Sequence, residues 1–251
     1  MASASHHPGP LMAETELLLP DVATLTDLET FVGRAKQIDA GGAVRLSAHD
    51  SVLAVYASAL HGGAAPTVLA LRVLTLAEPS DLDVTVALAA LTDRFALTDR
   101  QLSPQRRSLA GPLRLPIPPT SATGATWAGV LPSRTGWTAE GMLRVSDLRR
   151  AARAGIEAVA EGTPAVAGAA AVAKLRAAVW GRPLLGHDEL PAGTAFAAEA
   201  FGFLGSSRAG DEQVFDQNVD QDAVSLHRAG RWWRLSTTRG HVLARPAITL
   251  S

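Results

Sequence analysis

Cysteine is absent from the 251 residues, which excludes disulfides, thiolate metal sites and a cysteine nucleophile. Lysine is scarce: of the 23 basic residues only Lys36 and Lys174 are lysine. Arginine in its place can serve planar, bidentate recognition of phosphate or carboxylate. Here it is spread along the whole chain beside abundant alanine, which reads as a GC-rich coding sequence rather than as one site. No apolar run approaches the roughly 20 residues of a membrane helix; the alanine-rich stretch at 165–180 is broken by Lys174 and Arg176. Neither charge is in excess. The net charge is -1, so no global field draws the chain to nucleic acid or anionic lipid. The N-terminal stretch has no basic leader and no long apolar run, so a cytoplasmic protein is expected.

Catalytic and metal signatures are missing as well. There is no HExxH, no HxH, no GxSxG, and no phosphate-binding GxxxxGK or GxGxxG; neither a metal nor a cofactor is expected. DQNVDQD begins like a calcium loop, with Asp216, Asn218 and Asp220. It then has Gln221 where the turn needs glycine and His227 where a bidentate glutamate belongs, so it reads as a solvated acidic loop. His61-Gly62-Gly63 resembles the HGG oxyanion loop of esterases, without the matching nucleophile motif. His6 and His7 fall in a tail, His49-Asp50 in a turn, and His187-Asp188-Glu189 in a polar link between helices.

What is present describes a folded chain: 47% hydrophobic and 19% charged residues suffice for a core. Helical spacing at 24–38 buries Leu28, Phe31, Val32, Ala35 and Ile38, with Thr26 and Glu29 as a capping box. A two-residue loop at His49-Asp50 would pair Leu46 with Leu53 and Val44 with Val55. TVLALRVLTL (67–76) reads as a central strand, and DVTV (83–86) as a short one entering a helix that buries Leu88, Leu91 and Phe95. Proline and glycine crowd 111–137, which marks a linker.

A second domain is expected from 138. One helix opens at Ser146 with Leu148, Ala152, Ile156 and Val159 inward. A second, nearly all Ala and Val, runs from the Thr163-Pro164 cap to Trp180 and should be covered on both sides. A third spans 192–204, with Phe196, Ala200, Phe203 and Leu204 on one stripe. Three helices and a hairpin follow the element order of a winged-helix DNA-binding domain. Its reading helix would be 192–204, which carries one ionisable side chain, Glu199, and so reads as buried. Specific duplex DNA binding is not expected.

The chain ends in GRWWRLSTTRGHVLAR. An Ala229-Gly230 turn would pair Leu226 with Trp233 and Val224 with Leu235, leaving Ser225, His227, Trp232 and Arg234 on the opposite face beside Arg228 and Arg231. Residues 223–251 hold five arginines and no acid, and 211–222 hold five acids and no base. The two blocks can neutralise each other. Alternatively His227, Arg228, Arg231, Trp232 and Arg234 form a binding surface for a small anion or an acidic protein.

At DVTVALAALTDRFA the strand running into a helix resembles a segment repeated in bacterial sliding clamps, over about residues 24–100. The resemblance implies half of such a domain, although residues 1–110 carry 8 bases against 12 acids and lack a basic pore face. The whole chain is similar to uncharacterised two-domain proteins of high-GC bacteria, which implies no activity. The expected architecture is α+β: a tail (1–23), an antiparallel sheet with helices on one face (24–110), a linker (111–137), and a helical domain with a terminal hairpin or meander (138–251). The expected role is binding or scaffolding, of unknown oligomeric state. The alternative is a metal-independent hydrolase using His61 and a serine brought near by folding, which a cavity holding His61, an acid and a hydroxyl would favour.

Overall fold

The computed structural model describes residues 15–62, 65–102, 111–122, 124–163, 168–184, 186–205 and 223–247. The first half carries β1 (Glu16–Leu19), α1 (Val22–Ile38), β2 (Ala43–His49), β3 (Val52–Leu60), β4 (Thr67–Thr75), β5 (Leu82–Ala87), α2 (Leu88–Gln101) and β6 (Leu113–Pro116). After a 3-10 turn at Thr126–Gly129 come β7 (Thr138–Arg144), α3 (Val145–Glu161), α4 (Ala169–Trp180), β8 (Pro183–Leu184), β9 (His187–Pro191), α5 (Gly193–Ala200), β10 (Ala223–Ala229), β11 (Trp232–Thr237) and β12 (Gly240–Arg245).

Eight of these strands form one antiparallel sheet in the order β5-β2-β3-β4-β12-β11-β10-β7. That order corrects the expected fold class. The C-terminal portion is not a helical domain with an appended hairpin, because it supplies half of a sheet that also contains the N-terminal strands. The halves correspond about the middle. Each gives a three-strand meander (β2-β3-β4, β10-β11-β12) and an outer strand that runs directly into a helix (β5 into α2, β7 into α3). Buried side chains of α1, α2, α3 and α5 join one core with Val44, Leu46, Val55, Val68, Leu226, Trp233 and Val242 of the sheet.

Local chemistry sets the element ends. Helix α1 starts earlier than the Thr26 box: Asp21 is its N-cap and accepts from the Thr24 N–H at 2.7 Å, satisfying an otherwise orphan donor. In the first hairpin Leu46 pairs with Val55 and Ala48 with Leu53. In the last, Leu226 pairs with Leu235 and Arg228 with Trp233. Both loops therefore lie one residue later than expected, at 50–51 and 230–231. The reason is common to both: the first loop position needs positive φ, which Asp50 (φ 50) and Gly230 (φ 57) supply and His49 or Ala229 would resist. A one-residue move of the loop shifts the pairing by two, so the apolar faces stay where the alternation put them.

The seam between the halves is β4 against β12, from Leu71↔His241 to Thr67↔Arg245. Arginines fasten it on the helical side. Arg72 of β4 donates to Asp27 of α1, with Nε to Oδ2 at 2.9 Å, and to the carbonyl of Arg239 beyond β11. Arg34 of α1 donates to the carbonyl of Phe201 after α5, and Phe31 packs on the Phe201 ring at 5.0 Å.

Other expectations meet the structure unevenly. Helix α5 is buried, but through Gly193, Thr194, Ala195, Ala197 and Ala198; Phe196 and Ala200 of the expected stripe are half-buried, and Phe203 and Leu204 are buried beyond the helix end at Ala200. Helix α4 is not: only Val179 and Trp180 are buried, because an alanine-rich helix is stable by propensity and can face water. In α3, Leu148 and Ala152 point inward, but Ile156 is 46% exposed. Within 1–23, Leu17 and Leu19 of β1 are fully buried against β6. His6, His7 and the whole acidic loop at 211–222 lie outside the described residues.

Candidate functional site

Cross-strand partners share a face of a sheet. On the face away from the helices, one row runs Thr85, Arg45, Tyr56, Leu71, His241, Ser236, Ser225, Met142. The next runs Ser58, Leu69, Leu243, Arg234, His227. Ala122 and residues 124–137 cross part of this face. Ala122 donates to the Thr85 carbonyl at 2.7 Å, Arg45 to the Ala128 carbonyl, and Arg134 to the Ser47 hydroxyl at 3.2 Å. Trp127 and Ala128 bury against Tyr56, Leu69, Trp232 and Leu243 in a second, smaller core.

The five residues expected to form a binding surface divide. Trp232 is buried, 8% exposed, under that second core; it packs rather than presents itself. Arg228 lies on the helical side, where its Nη2 pairs with Glu189 at 2.7 Å and its guanidinium covers Trp233 at 5.0 Å. Arg231 is exposed in the turn. His227 and Arg234 remain together on the far face as direct cross-strand partners.

Around that pair the structure adds residues that sequence reasoning misses. His241 of β12 lies opposite Ser236 and its Nδ1 is 3.0 Å from the Ser236 Oγ. Trp137 stacks on Arg234 at 4.6 Å. The alternation Gly240-His241-Val242-Leu243 could have put His241 beside Arg234, but only once β12 was known to adjoin β11. The cluster is cationic and partly dry. Arg234 Nε and His227 Nδ1 are buried with no hydrogen-bond partner among the described residues. Burial pulls the Arg234 guanidinium below its ordinary pKa. His241 is also held down, first by burial and then by the charges of Arg234, Arg72 and His227. No carboxylate pairs with any of the three among the described residues.

The other feature is at the end of β3. His61 Nδ1 lies 2.8 Å from Ser58 Oγ, and both line a cavity of about 150 Å³ together with Asp39, Gly42 and Trp127. The Ser58 hydroxyl is thus in contact with His61, while the Asp39 carboxylate lines the same cavity and accepts from the Gly41 N–H at 3.2 Å. Among the described residues no group of three or more His, Asp or Glu side chains could hold a metal ion, and no helix is long and apolar enough to cross a membrane.

Two families match the chain, each over less than half of it. Residues 12–112 match a domain of unknown function, DUF8010, and residues 132–248 match a second, DUF8185. No curated protein matches. Solved structures that resemble the chain include a DNA polymerase sliding clamp from Caulobacter crescentus, 14% identical, with a TM-score of 0.44 over 94% of this chain and 66% of its own. The pol III beta protein of Caulobacter crescentus is 13% identical, with a TM-score of 0.44 over 94% of this chain and 67% of its own. The DNA polymerase III beta chain of Streptococcus pneumoniae is 12% identical, with a TM-score of 0.40 over 98% of this chain and 68% of its own. The likeness is too loose to carry a function across.

Proposed function

We propose that this is a binding protein that takes an anionic group, from an acidic partner protein or a small anion, on the far face of β10–β12. The observation that carries this reading is the unpaired state of Arg234 beside His227. A buried donor without a partner costs about 1–3 kcal/mol, and a group that binds there would recover it. Arg234 supplies charge-assisted donors, the His227 and His241 imidazoles stand beside it, and Ser225 and Ser236 offer hydroxyls. Trp137, stacked on the guanidinium, fixes its plane for directed hydrogen bonding. Of the residues named from sequence, His227 and Arg234 belong to this site; Trp232 packs beside it in the second core on the same face, while Arg228 and Arg231 lie outside.

Titration of the protein with inorganic phosphate, followed through the His227 and His241 ring resonances, tests the reading. Perturbation of both rings, lost in Arg234→Ala, is expected. Rings that do not respond, or a response that survives Arg234→Ala, overturns it. Replacing the five acids of 211–222 by amides separates the internal alternative: tighter phosphate binding by that variant would mean the acidic loop is itself the occupant.

We further infer that 24–110 and 138–251 are two units joined through 111–137. The two family matches, at 12–112 and 132–248, support the division.

A further inference from the structure

Ser58 sits where β3 loses register with β4, between Ser58 and Leu60. The bulge turns the chain so that the ring of His61, three residues on, folds back onto the Ser58 hydroxyl. A serine–histidine contact of this span can simply close a strand end, and most such contacts need no further role. This one differs in its surroundings. His61 lies between two hollows: the cavity of about 150 Å³ with Ser58 and Asp39, and a groove of about 290 Å³ with Thr67, Trp127, Val130 and Arg245. Burial holds the imidazole below its ordinary pKa, against the nearby charge of Asp39. At neutral pH it is therefore an unprotonated base beside a hydroxyl, with a carboxylate close enough to favour the imidazolium once formed.

We infer that Ser58 is a nucleophile activated by His61, acting on esters of small carboxylic acids. The Ser58 Oγ bonds to the ester carbonyl carbon while its proton passes to His61 Nδ1. The bond from that carbon to the alcohol oxygen then breaks, and the alcohol leaves with the proton from His61. Water repeats the sequence on the acyl-serine, giving its proton to His61 and releasing the acid and the free hydroxyl. The smaller cavity, of about 150 Å³, receives the acyl part. The leaving alcohol lies along the groove. There the Arg245 guanidinium, stacked on Trp232 at 5.3 Å and without a carboxylate partner among the described residues, favours an alcohol that carries negative charge.

This site is separate from the anion-binding face, and either can fail without the other. A fluorophosphonate probe tests it: the same attack forms a Ser–phosphorus bond and expels fluoride, leaving a mass increment on one peptide. The wild-type protein is expected to be labelled on the peptide containing Ser58, and labelling to fall at least tenfold in Ser58→Ala and in His61→Gln. Ser58→Ala removes one oxygen, and its thermal unfolding curve shows whether it is folded. Hydrolysis of 4-nitrophenyl acetate should exceed that of the octanoate by at least tenfold, with the difference abolished in Ser58→Ala. No labelling of the wild type, labelling elsewhere, or equal labelling of folded Ser58→Ala overturns the inference.

Discussion

Trp180 lies against the bare backbone of Gly155: a Cβ added there would stand 2.0 Å from the indole ring. Trp180 is 2% exposed and stacks on Phe196 at 4.7 Å, so the ring cannot withdraw. Two effects of Gly155→Ala compete. Helix propensity favours alanine by about 1 kcal/mol, while overpacking a filled core costs typically 1–3 kcal/mol. The collision is with a rigid ring and should win. Gly33, on the exposed side of α1, is the control, because a Cβ added there would meet nothing within 4 Å. Gly33→Ala should stabilise by up to ~1 kcal/mol. Urea midpoints of the two variants, moving in opposite directions, check both.

The adjacent tryptophans should behave alike. Trp232 and Trp233 are 8% and 7% exposed on opposite faces of β11, and each truncation to alanine should cost about 3–5 kcal/mol. Arg231→Ala, in the exposed turn, should change stability by no more than ~0.5 kcal/mol. Denaturant unfolding of the three variants distinguishes this pattern from one in which Trp232 faces water.

Acid should loosen the 124–137 crossing before the sheet. Asp83 is held below the usual carboxylate range, chiefly by hydrogen bonds from Arg45, which also holds the Ala128 carbonyl. A carboxyl depressed in the folded state stabilises fully above its unfolded pKa, and the contribution disappears as pH falls through the folded value. Trp127 fluorescence should therefore report a change below about pH 4, the ordinary carboxylate value. Asp83→Asn should remove that change at a cost at pH 7 of under ~1 kcal/mol, since the Asp83 carboxylate is exposed and solvent screens the pair.

Cleavage within 111–137 should not separate the halves. Five β4–β12 residue pairs and one shared core join them, with Arg34 and Arg72 crossing the join. After limited proteolysis the two fragments should co-elute in size-exclusion chromatography and part only in denaturant. Separation under native conditions would show that the seam does not hold without the covalent link.

Hydrophobic period makes α1, β3, β4 and the β5–α2 transition legible, because each is specified by residues close in sequence; the start of α1 is not, because Asp21 rather than Thr26 caps it. The loops fall one residue away from expectation because His49-Asp50 and Ala229-Gly230 each contain the turn-forming residue without showing which loop position it takes. Face assignments survive, since alternation is insensitive to a shift of two. The seam is not legible: nothing local in Val68, Leu69 and Ala70 names Leu243 and Ala244 as neighbours. Without the seam the site stays hidden, because His241 meets Arg234 only through β12. The second core is hidden for the same reason, and Trp232 reads as a surface residue although Trp127 covers it. Ser58 and His61 need no long-range pairing, only the bulge between them, which strand periodicity does not signal.

The position of β4 has a consequence for synthesis. Its partner strand begins at Gly240, while β4 ends at Thr75. At about 5–20 residues per second, an emerging chain carries the open edge of β4 for on the order of ten to thirty seconds before Val242 and Ala244 arrive to close it. During that interval Val68, Leu69 and Ala70, fully buried in the finished sheet, lie along an unpaired edge of the kind that recruits strands from other chains. Arg72 is the charged residue within that edge, where it can act as a gatekeeper before Asp27 and the Arg239 carbonyl fix it in the folded protein. Arg72→Leu should therefore reduce the yield of soluble protein during expression by more than its effect on the unfolding midpoint would predict.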